Sequence, residues 1–167
     1  MENLRNKVAE SGIITLDPAK LAPLEDVLGF DLRDFLWHGM VLKEKEFREQ
    51  LKAIDWSAYR GRLVAVYCST DAIVARWAWM LLAQYIQQAG GACRFGTPSQ
   101  LRQDLLLETI AQLNLNDYEG ERVVIKGCGD ESIGEAVYVA LTMKLVPVVK
   151  SLMYGEPCST VPVYKKR

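Results

Sequence analysis

The chain has 167 residues, of which 50% are hydrophobic and 25% charged, and its formal net charge is −1. This length predicts a single domain with one sizeable core, and the composition is typical of a globular protein. The near-zero charge excludes a nucleic-acid binder that relies on a broadly basic surface, because such a surface needs an excess of Lys and Arg.

The N-terminal sequence MENLRNKVAESG mixes charges and lacks an apolar core, so we expect no secretory signal. The longest apolar run, residues 72–86, is shorter than a bilayer span and is interrupted by Arg76 and Gln84. Both features predict a cytoplasmic protein. Structural disulfides are rare in that compartment, so each of the four cysteines is expected to be a buried hydrophobe, a reactive thiol or a metal ligand.

We divide the chain into an N-terminal extension (residues 1–61), an α/β core (62–149) and a C-terminal arm (150–167). In the extension, GIITL predicts a short strand that stops at Asp17, and residues 28–32 predict a second one. In LKEKEFREQLKAI, three apolar residues recur at helical spacing among charged ones, which is typical of an amphipathic surface helix.

Strand-like and helix-like segments alternate through the core. The runs RLVAVYC, GACRF and RVVIKGC are apolar without alternation, as in parallel strands that are covered on both faces. The predicted helices lie at about residues 72–88, 98–113 and 132–147. This order predicts an open, three-layer α/β sheet with a largely parallel βαβαβα core.

The sequence also indicates where helices begin and end. Thr97 with Gln100, and Ser132 with Glu135, have the spacing of a capping box, in which two side chains satisfy the first free N–H groups of a helix. Pro147 should kink or end the last helix, because proline has no N–H to donate.

Two segments of the core resemble each other. YRGRLVAVYCSTD (59–71) and YEGERVVIKGCGD (118–130) align without a gap, which indicates two similar strand-to-helix junctions, derived either from a duplication or from convergence on one local geometry. Each junction contains a cysteine near its end, Cys68 in the first and Cys128 one position later in the second.

These cysteines follow strands, at the edge where open α/β sheets bind ligands and where helix N-termini favour a thiolate. If the strand order is 2-1-3, the two strands are neighbours and both thiols can face one cavity. A buried strand end and a tight turn would equally account for Cys68 and Cys128, because cysteine is often buried.

Cys158 lies in GEPCSTVP, a turn-forming stretch that predicts a thiol held at a set place. The alternative is a disordered tail, although its apolar residues could also dock as an edge strand or arm. We therefore predict a metal site formed by Cys68, Cys128 and Cys158, with a fourth position open to water, a carboxylate or His38. A single histidine among aromatic residues is more typical of a structural role, and Cys93 is predicted to belong to the core.

Residues 127–134 lack the glycine spacing of phosphate-binding loops and carry acidic side chains, so no nucleotide is expected. The segment AIVARWAWMLLAQYI is apolar almost all round, which indicates a helix that is fully buried or half covered by another subunit. We expect a homodimer or larger oligomer that uses Trp77 and Trp79.

The stretches VVIKGC, LVPVVKSLMYGEPCSTVPVYK and NKVAESGIITLD resemble the signature stretches of a small bacterial family catalogued as domain of unknown function 2480. The resemblance covers nearly the whole chain, and its tail and KGC cysteines correspond to Cys158 and Cys128. It implies no activity. It does imply an association with iron–sulfur assembly components of the sulfur-mobilisation type, which are then the expected partners.

These observations predict an accessory protein that binds zinc or an iron–sulfur cluster through soft thiolate ligands, in cluster assembly or transfer. A cysteine-dependent thiol or redox enzyme using Cys128 or Cys158 is the first alternative, although it has only His38 as an imidazole base. An oligomeric scaffold with incidental cysteines is the second.

Overall fold

The computed structural model describes residues 12–21, 26–127, 133–156 and 159–167. The helices in these ranges are α1 (Glu44–Ala53), α2 (Arg76–Gln88), α3 (Pro98–Ala111) and α4 (Glu135–Leu145). The strands are β1 (Ile13–Leu16), β2 (Val27–Asp31), β3 (Leu63–Tyr67), β4 (Ala92–Phe95), β5 (Arg122–Ile125), β6 (Ser151–Glu156) and β7 (Ser159–Lys165). Among the described helices, none is both long enough and apolar enough to cross a membrane.

The strands form two open sheets. One has the order β2-β3-β4 and is parallel throughout; the other has the order β1-β5-β6-β7, in which only β7 is antiparallel to its neighbour. The predicted open, largely parallel α/β class is confirmed. The premise that the strands of RLVAVYC and RVVIKGC are neighbours is wrong, because β3 and β5 are central strands of different sheets. The places beside them are taken by β2 and β1, the two short strands of the N-terminal extension.

The described chain divides into two compact units. We call residues 24–102 the inner unit and residues 1–23 with 103–167 the outer unit. Each has its own hydrophobic core beneath its own sheet. Fully buried side chains of the inner core include Phe47, Leu51, Val64, Leu82 and Ile86, and those of the outer core include Val123, Leu141, Leu145 and Leu152.

The two units repeat the same arrangement at a constant spacing of 59 residues, as from Arg76 at the start of α2 to Glu135 at the start of α4. The repeat spans residues 44–96 and 103–155. Its buried helical positions coincide: α2 buries Ala78, Leu82 and Ile86, and α4 buries Val137, Leu141 and Leu145. Each set recurs every four residues and so forms one face of its helix.

Strand register follows the same spacing. Leu63 of β3 lies opposite Ala92 of β4, and Arg122 of β5 lies opposite Ser151 of β6. The sequence similarity of residues 59–71 and 118–130 is therefore the recognisable part of a longer structural repeat.

The first strand of each unit also ends in the same way. The carboxylates of Asp17 and Asp31 follow β1 and close β2, and each accepts a hydrogen bond from the N–H group two residues later, at 3.1 and 2.9 Å. Each carboxylate thereby starts a short 3-10 turn. In sequence, β1 precedes the inner unit and the rest of the outer unit follows it, so the inner unit is inserted into the outer one.

One predicted capping box is confirmed and the other is wrong. The N–H of Thr97 donates to Oε1 of Gln100 at 2.8 Å, and the N–H of Gln100 donates to Oγ1 of Thr97 at 3.3 Å, which fixes the start of α3. Helix α4 instead begins at Glu135 with Gly134 as its N-cap, so Ser132, which lies outside the described residues, is not the N-cap. The helix ends at Leu145, before the proline, as predicted.

The C-terminal arm forms regular strands. Strand β7 pairs antiparallel with β6 and is the last strand of its sheet, which confirms the predicted edge strand. Its Pro162 is compatible with this position, because an edge strand leaves one side of its backbone free of ladder bonds.

The repeat predicts equal stability effects at equivalent core positions. Leu82→Ala and Leu141→Ala each remove a fully buried side chain, and each should lower the free energy of unfolding by about 2–5 kcal/mol. Urea denaturation measures both effects. The exposed neighbours Met80→Ala and Val139→Ala are the controls and should change stability by less than about 0.5 kcal/mol. A large effect at only one of the two leucines would contradict the equivalence of the cores.

Candidate functional site

Only two of the four predicted metal ligands, Cys68 and His38, lie within the described residues. Cys68 lies directly after β3 in the inner unit, and His38 lies in an exposed turn of the same unit. Cys128 and Cys158 lie outside the described residues. In the described ranges, no group of three or more His, Cys, Asp or Glu side chains is arranged to hold a metal ion. The site formed by three thiols therefore remains a prediction. It can no longer be based on neighbouring strands, because β3 and β5 belong to different sheets.

Cys68 has a local polar contact. It is half-buried and unpaired, and its Sγ lies 3.3 Å from Oγ1 of Thr70. Under the 59-residue repeat, Cys68 corresponds to Gly127, whereas Cys128 corresponds to Ser69. The two cysteines of the similar segments are thus not equivalent positions of the fold.

Ser69, the inner-unit residue equivalent to Cys128, forms a hydrogen bond with the carboxylate of Asp31. The N–H of Ser69 donates to Oδ1 of Asp31 at 3.0 Å, beside the N–H of Arg33. Burial alone would raise the pKa of Asp31, but hydrogen bonds from Ser69 and Arg33, together with the charge of Arg33, hold that pKa below its ordinary value. The carboxylate at this strand end is therefore ionised and bonded to its own neighbours.

His38 and Cys93 both have structural roles in the inner unit. His38 and Gly39 have positive φ angles of 49° and 70° at the centre of a turn closed by the N–H of Met40 and the carbonyl of Trp37. Histidine tolerates this left-handed conformation better than most residues do. Cys93 packs against the inner core, as expected, and burial raises the pKa of its thiol.

The outer sheet brings two chain segments to one edge. Strands β5 and β6 are parallel neighbours, with Ile125 opposite Tyr154. Gly127 lies two residues after Ile125, and Glu156 lies two residues after Tyr154. In the sequence, Cys128 directly follows Gly127 and Cys158 follows Glu156 by two residues. The carboxyl ends of these two strands are therefore the points from which both cysteine segments depart.

A tyrosine closes over the end of β5. The hydroxyl of Tyr154 donates to the carbonyl oxygen of Gly127 at 3.3 Å, and its ring packs edge-on against Tyr138 with centroids 5.6 Å apart. A Cβ atom on residue 127 would overlap Cζ of Tyr154, so glycine leaves room for this ring where it lies. The KGC glycine is thus explained by the close approach of Tyr154 to the backbone.

Glu156 is a residue that sequence reasoning missed. Its Oε1 is buried and has no hydrogen-bond partner among the described atoms. A buried carboxylate oxygen without a partner is costly, so it favours a cation or a hydrogen-bond donor at that point. The one feature of the sequence that could have drawn attention to Glu156 is its place between glycine and proline in GEPC. Its burial depends on tertiary structure and cannot be read from the sequence.

The contact between Gly127 and Tyr154 predicts a coupled pair of substitutions. Gly127→Ala should lower the free energy of unfolding by about 1–3 kcal/mol, because the new methyl group overlaps the tyrosine ring. In a Tyr154→Ala background the same change should cost less, because the ring is absent. A double-mutant cycle in urea measures the coupling, and equal costs in both backgrounds would contradict the contact.

The bonded carboxylate of Asp31 predicts a pH dependence. Because its folded-state pKa lies below the ordinary value of 3.8, it adds stability above that value and loses it as the pH falls through the folded pKa. The stability difference between the wild type and Asp31→Asn should therefore shrink from about pH 7 to about pH 3 in urea titrations. The exposed Asp34→Asn controls for the change in net charge, and a pH-independent difference would refute the prediction.

Comparison with known proteins agrees with the resemblance of the tail and KGC stretches. No curated protein and no solved structure shows a significant match. The sequence does match the family described as "Protein of unknown function (DUF2480)" over residues 2–166, nearly its whole length. This chain therefore belongs to the DUF2480 family.

Proposed function

We propose that the protein is an accessory metal-binding protein that holds a zinc ion or an iron–sulfur cluster through the thiolates of Cys128 and Cys158. The observation that supports this is the parallel pairing of β5 with β6, which puts Gly127 and Glu156 at one edge of the outer sheet. Consecutive Cα atoms are about 3.8 Å apart, so Cys128 is within about 3.8 Å of Gly127, and Cys158 within about 7.6 Å of Glu156. These short spans support a site that both thiols share.

The buried oxygen of Glu156 supports a cation at that point. Zinc accepts sulfur and carboxylate oxygen ligands together, and a bound cation would give this oxygen the partner that it lacks among the described atoms. Thiolates are soft ligands that suit zinc, iron and iron–sulfur clusters alike. Glu156 is accordingly the proposed third ligand, in place of His38, which lies in a turn of the inner unit.

Cys68 has less support than the other two cysteines. It follows β3, a strand of the inner sheet, and its sulfur contacts Thr70. It therefore serves as the matched control for the proposed pair. The proposal has three further parts, which rest on the sequence. The protein acts in cluster assembly, its partners are iron–sulfur assembly proteins, and it is located in the reducing cytoplasm.

A redox enzyme is the second candidate, and the same strand pairing favours it. Two cysteines can form a disulfide when their Cα atoms are about 4.4–6.8 Å apart, a separation that the neighbouring ends of β5 and β6 allow. In this case the carboxylate of Glu156 would act as the base that takes the proton from one thiol. The two electrons and two protons would pass to a disulfide substrate, which is reduced to two thiols as Cys128 and Cys158 form their own disulfide. Metal content and thiol oxidation distinguish the two candidates.

The test is metal content after anaerobic purification, with iron, sulfide and zinc measured per chain. We expect the wild type and Cys68→Ser to hold metal, and Cys128→Ser and Cys158→Ser to lose it, because each removes one of two thiolates. Glu156→Gln should retain metal with lower affinity in a chelator competition. Thermal unfolding of each variant without metal checks that it folds.

Each other outcome excludes part of the proposal. Wild-type protein that holds no metal even after reconstitution would refute metal binding. A reversible disulfide between Cys128 and Cys158 in that metal-free protein would establish the redox candidate. Metal loss in Cys68→Ser as well would show that Cys68 is a ligand and that the pair is incomplete.

A further inference from the structure

The repeat allows two equivalent strands to be compared, β4 in the inner unit and β6 in the outer unit. The outer side of β6 is paired with β7. Strand β4 is the last strand of its sheet in the part of the chain that the structure describes. The same position in the fold thus has an antiparallel neighbour in the outer unit but lacks a described one in the inner unit.

Exposure of the side chains reflects this difference. Cys93 of β4 is half-buried, whereas the equivalent Leu152 of β6 has no exposed surface. Phe95 is 74% exposed, whereas the equivalent Tyr154 is 41% exposed. Ala92 and Arg94 are likewise more exposed than their equivalents in β6. All four positions of β4 are therefore more open to solvent than those of the covered strand.

The backbone of β4 shows which groups face the open side. The N–H groups of Ala92 and Gly96 donate to the carbonyls of Arg62 and Val66, at 2.9 and 3.1 Å, and so point towards β3. Because backbone groups alternate along a strand, those of Cys93 and Phe95 point away from β3. Their equivalents in β6 are the residues that lie opposite Tyr164 and Val161 of β7.

Apolar side chains line the same edge. Phe95 packs edge-on against Trp79 of α2, with ring centroids 5.2 Å apart, and remains mostly exposed. The outer unit has the matching pair Tyr138 and Tyr154. An exposed aromatic residue beside backbone groups that have no described partner is the arrangement through which sheet edges associate.

We propose that two copies of the chain form a homodimer by antiparallel pairing of β4 with the β4 strand of the second copy. In the outer unit, β7 shows that an antiparallel strand fits this position of the fold. The inner unit continues into α3 from Pro98 instead, so the segment equivalent to β7 is helical. A second copy brings an identical edge, and a two-fold axis pairs both edges at once.

This interface is independent of the proposed thiol site. It includes Trp79, one of the two tryptophans that the sequence predicts as a self-association surface, and specifies a strand edge as the contact. Trp77 is directed elsewhere, because its ring packs against Phe47 of α1 with centroids 6.1 Å apart. The partner is therefore a second copy that pairs through β4, with Phe95 and Trp79 covered at its centre.

Sedimentation equilibrium over a concentration series tests the proposal on the full chain. The wild type should be a dimer, and Phe95→Glu should weaken association by at least about tenfold, because it puts a charge into the contact. The matched control is Ile73→Glu, which changes a 94% exposed apolar residue outside β4 and should leave the dimer intact. Thermal unfolding checks that both variants fold.

Residue-resolved amide exchange supplies a second measurement. In the dimer, the amides of Cys93 and Phe95 should be protected, and dilution or Phe95→Glu should remove the protection at Cys93. The amides of Ala92 and Gly96, which donate to β3, should stay protected throughout. A wild type that is monomeric at every concentration would overturn the proposal, as would a dimer unaffected by Phe95→Glu. Protection of Cys93 in a monomer would show that the chain covers its own edge, which also overturns it.

Discussion

Parallel pairing on both sides of a central strand is the constraint on which the rest of this structure depends. Strands β3 and β5 are each flanked by two parallel neighbours, and Val64, Val123 and Val124 in them have no exposed surface. Such strands need helices over the sheet, because parallel neighbours are joined by long crossover connections. Helices α2 and α4 supply these connections, and each turns one apolar face of equally spaced residues towards its core. The position of the strand ends, and hence of the candidate site, follows from this pairing.

Much of the fold could be predicted from local sequence, because local rules set the helices and strands. The capping box of Thr97 fixes the start of α3, and apolar runs without alternation identify β3 and β5 as buried strands. Strand order could not be predicted in this way, because the partner of each strand is distant in sequence. In sequence, the inner unit is inserted between β1 and the rest of the outer unit. The spacing of apolar residues does not reveal such an insertion. The repeat is faint in sequence because a core position needs apolar volume and not one residue type, as where Ala78 corresponds to Val137 and Ile86 to Leu145.

The candidate site was predictable only in part, for a related reason. The sequence places Cys68 and Cys128 at similar junctions, yet the repeat matches Cys68 with Gly127, where the ring of Tyr154 excludes a side chain. Shifting one position along a chain changes which face a side chain occupies, so a near match in sequence is not an equivalent site. Glu156 could not be found from the sequence, because the burial of its Oε1 without a described hydrogen-bond partner is a property of the folded chain.

The two units diverge after one shared feature, the glycine that ends the repeat. Gly96 and Gly155 both have a strongly positive φ, 134° and 122°, and each is followed by one residue and then a proline. After Gly96, Thr97 forms a capping box and the chain becomes helical. After Gly155, an alternating run with β-branched residues favours a strand, and β7 pairs back onto β6. Strand β4 is therefore the last described strand of its sheet, whereas β6 is paired with β7. A few residues after an equivalent glycine thus decide whether the chain continues as a helix, as in α3, or as an antiparallel strand, as in β7.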